Sequence, residues 1–490
     1  MDSELLQKRS ELIERGVDPY PYSFSRSHNL KQVRDAQEDL MDKEVRVAGR
    51  LVAYRGKGKM IFSDLSDFHG RLQVMFRKNS FDDSTWELIK RQLDLGDWVG
   101  VCGPLFVTKM GELTVEAKGM ELLSKAVVRV PISKEKDDRT FFQLSDPETR
   151  YRERHLHWIT DPAARDVMVR RARILSSIRR FLEGREFLEV TTPTIEMNYG
   201  GAEAKPFTTD IHALSGQQAF LRISPELPLK RFIVGGFEKV FTICQNFRNE
   251  GIDRSHNPEF TMLEWYEAYT DYQHQMTQFE TLVASVTQEI TGGYRITYQG
   301  TEIDFEPPWK RITVLGGLEA EGLDAGNMDE TQLREELGRR GIDAPKPFTW
   351  GHATALLFSE LIEKNLVQPT FVCDHPVEIS PLTKKKRGDD RLVERFEPVV
   401  AGMEIGNAYS ELTDPVEQRA RFETQQALGA DQEGVTHHPI DEDFLHAVGC
   451  GMPPTGGVGL GIDRLVMLLT DSHSIRDVIA FPLMKPREKQ

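Results

Sequence analysis

FTICQNFRNEGIDRSHNPEFTMLEWYEAY, residues 241–269, is the stretch of sequence on which the fold of this chain depends. Read with a period of two, residues 241–250 predict a β-strand that carries Arg248 and Glu250 on one face. Residues 251–258, GIDRSHNP, are rich in turn formers. We therefore predict a polar turn that joins this strand to a second one.

The second half of the stretch predicts a strand whose polar face can bind a ligand. Residues 259–269 alternate so that Phe260, Glu264 and Tyr266 share one face. With Arg248 beside it, that face offers a guanidinium for an anion, a flat ring for stacking and carboxylates for a cation. The alternative is an ordinary amphipathic hairpin with a charged outer face. Composition alone favours the alternative, so the rest of the chain must decide.

Length and composition indicate a multidomain protein without a membrane span. At 490 residues the chain is too long for one ordinary core, so we predict two or three domains. Its 39% hydrophobic content is typical of globular proteins, and no run approaches about 18 apolar residues. The N-terminus mixes both charges and has no apolar signal core, so we expect a cytoplasmic protein.

Cysteine spacing and charge exclude some classes of site. The four cysteines, Cys102, Cys244, Cys373 and Cys450, form no CxxC pair, which argues against a zinc ribbon and a disulfide framework. His437 and His438 have no partner at ligand spacing, so we interpret them as loop residues. The net charge of −15 disfavours nucleic acid, but residues 46–59 hold five basic residues and no acidic one.

The segment between Glu44 and about Lys125 predicts a small β-barrel. Five short alternating segments, with a helical stretch between the third and fourth, have the order of an OB barrel. Its strands could bind single-stranded nucleic acid, with Phe62 or Phe76 as a stacking platform and Arg55 and Lys57 as phosphate contacts. A phenylalanine in the core of the barrel is the alternative for either aromatic.

Two helical segments flank the opening stretch on its N-terminal side. Residues 163–186 repeat apolar residues at helical spacing and lead to Pro193, a pattern of a subunit contact or of a plain surface helix. Further on, Pro225 begins a predicted helix that places Glu226 in its first turn. Pro228 is compatible with that helix only within the first turn.

The segment RFEPVVAGMEIGNAYSEL, residues 395–412, carries three acidic residues beside a turn. Glu397 and Glu404 flank the turn, and Asn407, Tyr409 and Glu411 lie on one strand face. Glu404 has the other parity, so we predict a β-bulge near Gly406 if it is to join that face.

The segment GGVGLGIDRLVMLLTD, residues 456–471, is glycine-rich and then helical. Its apolar positions predict a helix that leaves Arg464 on the face opposite the core. The glycine spacing matches neither GxxxxGK[ST] nor GxGxxG within a βαβ unit, so neither nucleotide-binding motif applies.

Three of these pieces resemble the signature motifs of class II aminoacyl-tRNA synthetases: the helix into Pro193, FRNE-loop-F at 247–260, and GLGIDR at 459–464. Within the class, the chain looks most like lysyl-tRNA synthetases. The residues behind this likeness are GGAEAKPF at 200–207, SPEL at 224–227, FVCDHPVEISPL at 371–382 and EIGNAYSEL at 404–412.

The resemblance implies an α+β protein with an OB-fold β-barrel and a catalytic domain built on an antiparallel β-sheet flanked by helices. The implied domains are an N-terminal helical extension at 1–40, an OB-fold anticodon-binding domain at 41–130, a linker at 131–150, and a class II catalytic domain at 151–490 with a helical insertion at about 300–370.

The resemblance also implies a role for each matching residue. Arg248, Glu250 and Arg464 would be catalytic. ATP would contact Arg248, Glu250, His256, Asn257, Phe260 and Arg464. Lysine would contact Gly201, Glu226, Glu264, Tyr266, Asn407, Tyr409 and Glu411. Mg²⁺ would bind Glu397 and Glu404, and the tRNA anticodon would contact Arg55, Phe62, Gln73 and Glu112.

The implied activity is ATP-dependent activation of L-lysine as lysyl-adenylate and its transfer to the 3′ end of tRNA(Lys) by a homodimer. One alternative is a class II synthetase for aspartate or asparagine, whose side chains need a cation or an amide partner rather than Glu411 and Tyr266. Another is a synthetase-like RNA-binding protein that charges no tRNA.

Overall fold

The structure is a computed structural model that describes residues 1–487 except 133, 137–138, 142–143, 145, 203 and 430–439. His437 and His438, and part of the predicted linker at 131–150, lie outside the described residues. The chain divides into two compact units, Met1–Pro162 and Ala163–Gln490.

The first unit contains short helices and a six-stranded sheet. Its helices are α1 (Ser3–Glu14), α2 (Leu30–Asp35), α3 (Gln37–Leu40), α4 (Asp83–Glu87), α5 (Pro147–Arg152) and α6 (Arg154–Thr160). Its strands are β1 (Glu44–Lys57), β2 (Met60–Ser66), β3 (Arg71–Arg77), β4 (Trp98–Val107), β5 (Leu113–Glu116), β6 (Gly119–Ser124), β7 (Lys134–Lys136) and β8 (Arg139–Phe141), of which the last two form a separate pair.

Five of the six strands close into a barrel. The strand order is β1-β2-β3-β5-β4-β6, and β1 also pairs with β4, so that β6 lies outside the ring beside β4. Because side chains alternate along each strand, one set fills the interior; Val47, Leu65 and Val101 are fully buried there. Phe76 is fully buried in the same core, so its predicted stacking role is wrong and the core alternative holds. α4 lies between β3 and β4, so the OB-fold prediction is confirmed.

The second unit is larger. Its helices are α7 (Pro162–Glu183), α8 (Glu226–Val234), α9 (Tyr272–Thr291), α10 (Val314–Ala320), α11 (Glu330–Arg340), α12 (Trp350–Leu361), α13 (Pro415–Gly429), α14 (Glu442–Gly449), α15 (Ile462–Leu469) and α16 (Ile475–Val478). Its strands are β9 (Leu188–Glu189), β10 (Ile195–Glu196), β11 (Thr208–Ile211), β12 (Gln217–Leu221), β13 (Lys239–Phe247), β14 (Glu259–Ala268), β15 (Arg295–Tyr298), β16 (Thr301–Asp304), β17 (Lys310–Thr313), β18 (Thr370–Pro376), β19 (Lys385–Lys386), β20 (Asp389–Val400), β21 (Met403–Glu404), β22 (Gly406–Ser410) and β23 (Thr455–Gly461).

One large sheet organises this unit. Its main strand order is β17-β18-β20-β22-β23-β14-β13-β9. Neighbouring strands are antiparallel except at the two edges, where β17 pairs with β18 and β9 with β13 in parallel. The prediction of a catalytic domain on an antiparallel sheet is thus confirmed, with the addition of parallel edge pairs.

The hairpin of the opening stretch forms the paired strands β13 and β14. Their register runs from Lys239 opposite Glu267 to Phe247 opposite Glu259. The predicted extension of the first strand to Glu250 is wrong. The strand ends at Phe247. The Arg248 backbone N–H still donates to the Pro258 carbonyl (2.8 Å), but the next N–H, of Asn249, donates to the Lys205 carbonyl outside the hairpin (2.7 Å).

An aromatic cluster fills the core beneath the large sheet. Phe279 of α9 lies with its ring centroid 6.1 Å from Trp265 of β14, 6.4 Å from Phe396 of β20 and 6.1 Å from Phe371 of β18. All four side chains are fully buried. Since a strand alternates its side chains, the residues between these aromatics point to the opposite face of the sheet.

The two prolines near the start of α8 differ in how well they match the prediction. α8 begins at Glu226 with Pro225 as its N-cap, so Pro225 precedes the helix instead of beginning it. Pro228 lies within the first turn, as expected.

All four cysteines are free thiols. No helix in the described part of the chain is long and apolar enough to cross a membrane.

Candidate active site

The face of the large sheet opposite the aromatic core forms the floor of a cavity of about 850 Å³. Along β14, Leu263 and Trp265 are buried in the core, while Glu264 and Tyr266 line the cavity. On β20, Phe396 belongs to the core, and its neighbours Arg395 and Glu397 line the cavity. The period of two therefore assigns one face of each strand to packing and the other to chemistry.

A strand of alternating glycines provides the centre of this floor. β23 lies between β14 and β22, and its Gly459 pairs with Glu264 on one side and Asn407 on the other. Gly457 likewise pairs with both Tyr266 and Tyr409. Glycine has no side chain, so the polar groups of the two flanking strands face each other across open space.

One end of the cavity is strongly acidic. Glu226 of α8, Glu264 of β14 and Glu411, which directly follows β22, are all buried. Fully buried Lys230 forms ion pairs with Glu226 (Nζ to Oε1, 2.6 Å) and Glu411 (Nζ to Oε2, 2.5 Å). Ser224 donates a hydrogen bond to Oε1 of Glu264 (2.9 Å).

Burial sets the electrostatics of this end. It raises the pKa of Glu264 to about 8, with the nearby charge of Glu226 acting in the same direction. It also raises the pKa of Glu411 to about 8, against the opposing effect of Lys230. Burial acts to lower the pKa of Lys230, but Glu226 and Glu411 outweigh it, and the pKa is raised. The described residues of the acidic end thus include three buried carboxyl groups, of Glu226, Glu264 and Glu411, and the buried ammonium group of Lys230.

Glu411 has unused acceptor capacity. Among the described residues, neither of its carboxylate oxygens has an aligned hydrogen-bond donor, although Oε2 lies beside Lys230. A side chain at Gly457 would come within 2.0 Å of Oε1, which places that oxygen directly over the glycine floor. Buried acceptors without donors are costly, so this end of the site suits a cationic donor.

The other end of the cavity carries arginines and an aromatic ring. The Arg248 guanidinium lies 5.1 Å from the ring centroid of Phe260. Burial lowers the pKa of Arg248, and its Nε–H has no hydrogen-bond acceptor among the described residues. A partly desolvated guanidinium with free donors suits an anion such as a carboxylate or a phosphate.

Arg464, at the start of α15, is held by neighbouring groups. Its Nη1 donates to the backbone carbonyl of Glu404 and lies 3.5 Å from the Glu404 carboxylate. Its Nη2 is 3.4 Å from Nε2 of His256. The His256 ring in turn contacts Asp253 through Nδ1 (2.8 Å). The predicted nucleotide contacts Arg464 and His256 are thus neighbours in the structure.

Glu397 and Glu404 form a carboxylate pair on the same side of the cavity. Val399 pairs with Glu404, whereas Phe396 pairs with Ala408, so one extra residue lies between β21 and β22. This confirms the predicted bulge near Gly406, which turns Glu404 toward the cavity. Burial and the adjacent charge of Glu397 raise the pKa of Glu404.

All predicted residues of this site except Glu411 line the cavity; Glu411 lies directly behind the lining, over Gly457. The members that line it are Gly201, Glu226, Arg248, Glu250, His256, Asn257, Phe260, Glu264, Tyr266, Glu397, Glu404, Asn407, Tyr409 and Arg464. These residues come from segments more than 200 residues apart. Most of them converge because the strands that carry or precede them are neighbours in one sheet.

Two residues of the site were missed by sequence reasoning. Lys230 lies one helical turn after Glu226, a spacing at which opposite charges meet on a helix. Arg395, two residues before Glu397, donates to Asn407 Oδ1 (3.0 Å) and pairs with Glu397. Helix spacing and strand parity could have found them, but both signals also fit ordinary surface ion pairs.

The first unit carries the other predicted site on its barrel. Arg55 and Phe62 are direct partners on β1 and β2, and Gln73 of β3 pairs with Asp64, two residues beyond Phe62. These four side chains share one face of the sheet. Arg55 contacts both oxygens of Asp64 (3.0 and 2.9 Å), and Asp64 was not predicted.

Glu112 lies at the edge of that strand face, two residues before Thr114, which pairs with Gln73. It is exposed, directly precedes β5 and stands 3.5 Å from Arg34. The barrel therefore brings three of the four predicted residues onto one surface, with Glu112 at a loop.

Comparison with known proteins agrees with this architecture. The family model of class II tRNA synthetases (D, K and N) matches residues 146–485, and that of the OB-fold nucleic acid binding domain matches residues 45–123. The fold and the site thus define a class II tRNA synthetase.

Close relatives are lysine–tRNA ligases. The enzyme of Clostridium perfringens is 46% identical over 488 residues, covering 98% of this chain and 95% of the relative. That of Carboxydothermus hydrogenoformans is 45% identical over 486 residues, covering 99% and 97%. Lysine–tRNA ligase 2 of Methanosarcina mazei is 47% identical over 492 residues, covering 99% and 94%. The chain belongs to the lysine–tRNA ligase family, and the resemblance read from its motifs is confirmed.

The glycine floor leads to a stability prediction. In G457A, the new Cβ would approach Glu411 Oε1 within 2.0 Å and the Tyr266 ring within 2.4 Å. Glu411 must then leave Lys230, which breaks a buried ion pair, so we expect a loss of about 3 kcal/mol in thermal or denaturant unfolding.

G459A is the matched variant on the same strand. Its Cβ would come closest to the flexible tip of Met262, at 3.0 Å, and its other neighbours lie at 3.7 and 3.8 Å, so a loss below about 1.5 kcal/mol is expected. Equal stability of the two variants would show that Glu411 is free to move.

Proposed function

We propose that this protein activates L-lysine with ATP as lysyl-adenylate and transfers the lysyl group to the 3′ end of tRNA(Lys). The observation that carries the proposal is the surplus of carboxyl groups at the acidic end, where Glu226, Glu264 and Glu411 are buried and the ammonium of Lys230 contacts Glu226 and Glu411. Further cations can therefore bind there. L-Lysine supplies two ammonium groups on one small molecule, and a pocket of this kind rejects a neutral analogue.

The two ends of the cavity orient the substrate. The α-ammonium group of lysine lies between Glu226 and Glu264, and the ε-ammonium reaches Glu411 beside Tyr266. The lysine carboxylate then points along the sheet toward Asn407 and Arg248. Strand pairing supports this arrangement, because Glu264, Gly459 and Asn407 form one row across the sheet.

Binding of ATP uses the basic end. Adenine stacks on Phe260, with Arg464 on the other side of the base, while Arg248 contacts the α-phosphate. Glu250, His256 and Asn257 complete the nucleotide contacts; Glu250 and His256 are exposed at the cavity edge, and Asn257 is buried. Phe260 is half-buried and keeps part of its ring open for stacking.

Two reactions follow from this geometry. In the first, a lysine carboxylate oxygen attacks the α-phosphorus of ATP and pyrophosphate leaves. In the second, a hydroxyl of the terminal tRNA ribose attacks the adenylate carbonyl, and AMP leaves. The chain contributes mainly positioning and charge stabilisation, with Arg248 neutralising charge on the α-phosphate.

Glu397 and Glu404 fit a Mg²⁺ ion. The two carboxylates face the same cavity, and the charge of Glu397 raises the pKa of Glu404, which is the expected result of placing two acidic groups together. Mg²⁺ typically takes one or two protein carboxylates and completes its shell with phosphate oxygens and water. When bound, the ion would neutralise charge on the ATP phosphates.

A class II synthetase for aspartate or asparagine is the second candidate. An aspartate side chain needs a cation at the acidic end, and Lys230 is already held by two carboxylates at 2.6 and 2.5 Å. The lysine–tRNA ligase relatives also favour lysine over aspartate and asparagine.

A homodimer is part of the proposal. The short edge strand β9 and the neighbouring β10 expose Leu188 (51%) and Ile195 (53%), directly after the helix that the family uses for its subunit contact. Sedimentation should give twice the chain mass of 55.9 kDa. Replacing both residues with arginine should yield a monomer, whereas V416R on α13, exposed to 76%, should remain dimeric.

Anticodon binding is assigned to the barrel face with Arg55, Phe62 and Gln73, with Glu112 at its loop. Aromatic stacking and phosphate contacts of this kind support single-stranded RNA binding. In R55A/F62A, we expect KM for tRNA to rise at least about tenfold, because stacking on one aromatic contributes about 1–3 kcal/mol. Lysine-dependent pyrophosphate exchange, which needs no tRNA, should remain unchanged.

The central test is ATP–pyrophosphate exchange with each amino acid in turn. We expect exchange with lysine and little with aspartate or asparagine. R248A should reduce the lysine reaction by about 3 kcal/mol in transition-state stabilisation, on the order of a hundredfold in rate, because a preorganised charge is lost. Exchange with aspartate and none with lysine, or an R248A variant as active as the parent, would contradict the proposal.

The raised pKa values predict a pH effect on lysine binding. With pKa values of about 8, Glu264 and Glu411 are largely protonated at pH 7 in the empty site. Binding of ammonium groups favours the ionised carboxylates, so lysine should displace protons below pH 8 and bind more tightly as the pH rises from 6 to 8.

Calorimetry in two buffers of different ionisation enthalpy measures this release directly. The other ionisable groups around the carboxylates are Glu226, Lys230, Lys384, Tyr266 and Tyr409; burial raises the pKa of both tyrosines well above this range. The same heat in both buffers at pH 7 would mean that the carboxylates are already ionised.

A further inference from the structure

Lys230 is a buried cation that joins two elements of the acidic end. It lies on α8, and its ammonium contacts Glu226 of the same helix and Glu411, which follows β22. The side chain is fully buried, and the ring centroid of Phe444 lies 6.0 Å from its Nζ. A lysine in this setting is retained only where its partners are close and charged.

The two oxygens of Glu411 lie in different surroundings. Oε2 is 2.5 Å from Lys230 Nζ. Oε1 lies over Gly457 next to the Tyr266 ring, and both of these residues line the cavity. Lys230 therefore contacts Oε2 of Glu411, while Oε1 lies on the side of the residues that line the cavity.

We infer that Lys230 is a positioning residue that sets the specificity for a second ammonium group, by holding Glu411 so that Oε1 alone faces the substrate. The inference rests on the proposed function and extends it to a residue outside the cavity lining. Without Lys230, Glu226 and Glu411 would be two buried carboxylates without a cation.

Glu411 would then hold its proton more tightly than in the parent site, because the Lys230 charge would no longer oppose the effect of burial on its pKa. A Glu411 that stays protonated when the substrate binds no longer distinguishes an ammonium group from a methyl group by charge. Lys230 thus serves discrimination as well as stability, and the two roles can be separated by experiment.

The test compares K230M and K230R in ATP–pyrophosphate exchange with lysine and with norleucine, which has the same carbon chain but no ε-ammonium. For K230M we expect KM for lysine to rise, and the lysine-to-norleucine ratio of kcat/KM to fall, each by at least about tenfold. KM for ATP should change less than about threefold. K230R keeps the positive charge and should restore a large part of the discrimination.

K125M is the matched control. Lys125, in the first unit, is also buried and lies 2.5 Å from Asp94 and 2.8 Å from Asp97. Its replacement removes a comparable buried ion pair and should lower stability, while KM for lysine and the discrimination stay at the parent values.

The outcomes separate the inference from the proposed function. Wild-type discrimination in folded K230M would overturn the inference and leave the function intact, whereas a parent protein without lysine-dependent exchange would overturn the function. If K230M does not fold, a crystal structure of the parent with lysine decides. Lys230 should remain on Oε2 with the substrate ammonium on Oε1, and a Lys230 that has left Glu411 would overturn the inference.

Discussion

The catalytic unit depends on the alternation of side chains along one antiparallel sheet. Trp265, Phe396 and Val458 pack against α9 on one face, while their direct neighbours in sequence line the cavity on the other. A shift of one residue in any central strand would exchange the two sets. The aromatic core thus fixes the register, and the register in turn positions every polar group of the site.

The glycine strand and the bulge are the two local features that adapt this regular sheet to a ligand. Alternating glycines in β23 leave two positions in the middle of the floor without a side chain, one between Glu264 and Asn407 and one between Tyr266 and Tyr409. The extra residue before Gly406 brings Glu404 to the face of Glu397. Both features work because their neighbours are fully paired strands that hold the backbone in place.

The charges are then sorted along the cavity. Carboxylates in excess lie at one end, and arginines with an aromatic ring lie at the other, so a zwitterionic substrate has one favourable orientation. Burial raises the pKa of Glu264 and Glu411, so their ionised forms depend on nearby positive charge. Lys230 supplies one such charge from outside the cavity lining, and the substrate ammonium groups supply the others.

The sequence by itself determined the family, the OB-fold barrel, the hairpin, the bulge and the residue types gathered in the cavity, because periodicity and motif order are local properties of the chain. It did not determine where the first hairpin strand ends, nor that Lys230 joins Glu226 to Glu411, nor that Arg395 links Asn407 to Glu397. Those contacts connect segments up to about 180 residues apart. Only the tertiary structure decided them, since which buried charges meet depends on the order and register of the strands and not on the spacing of residues within any one of them.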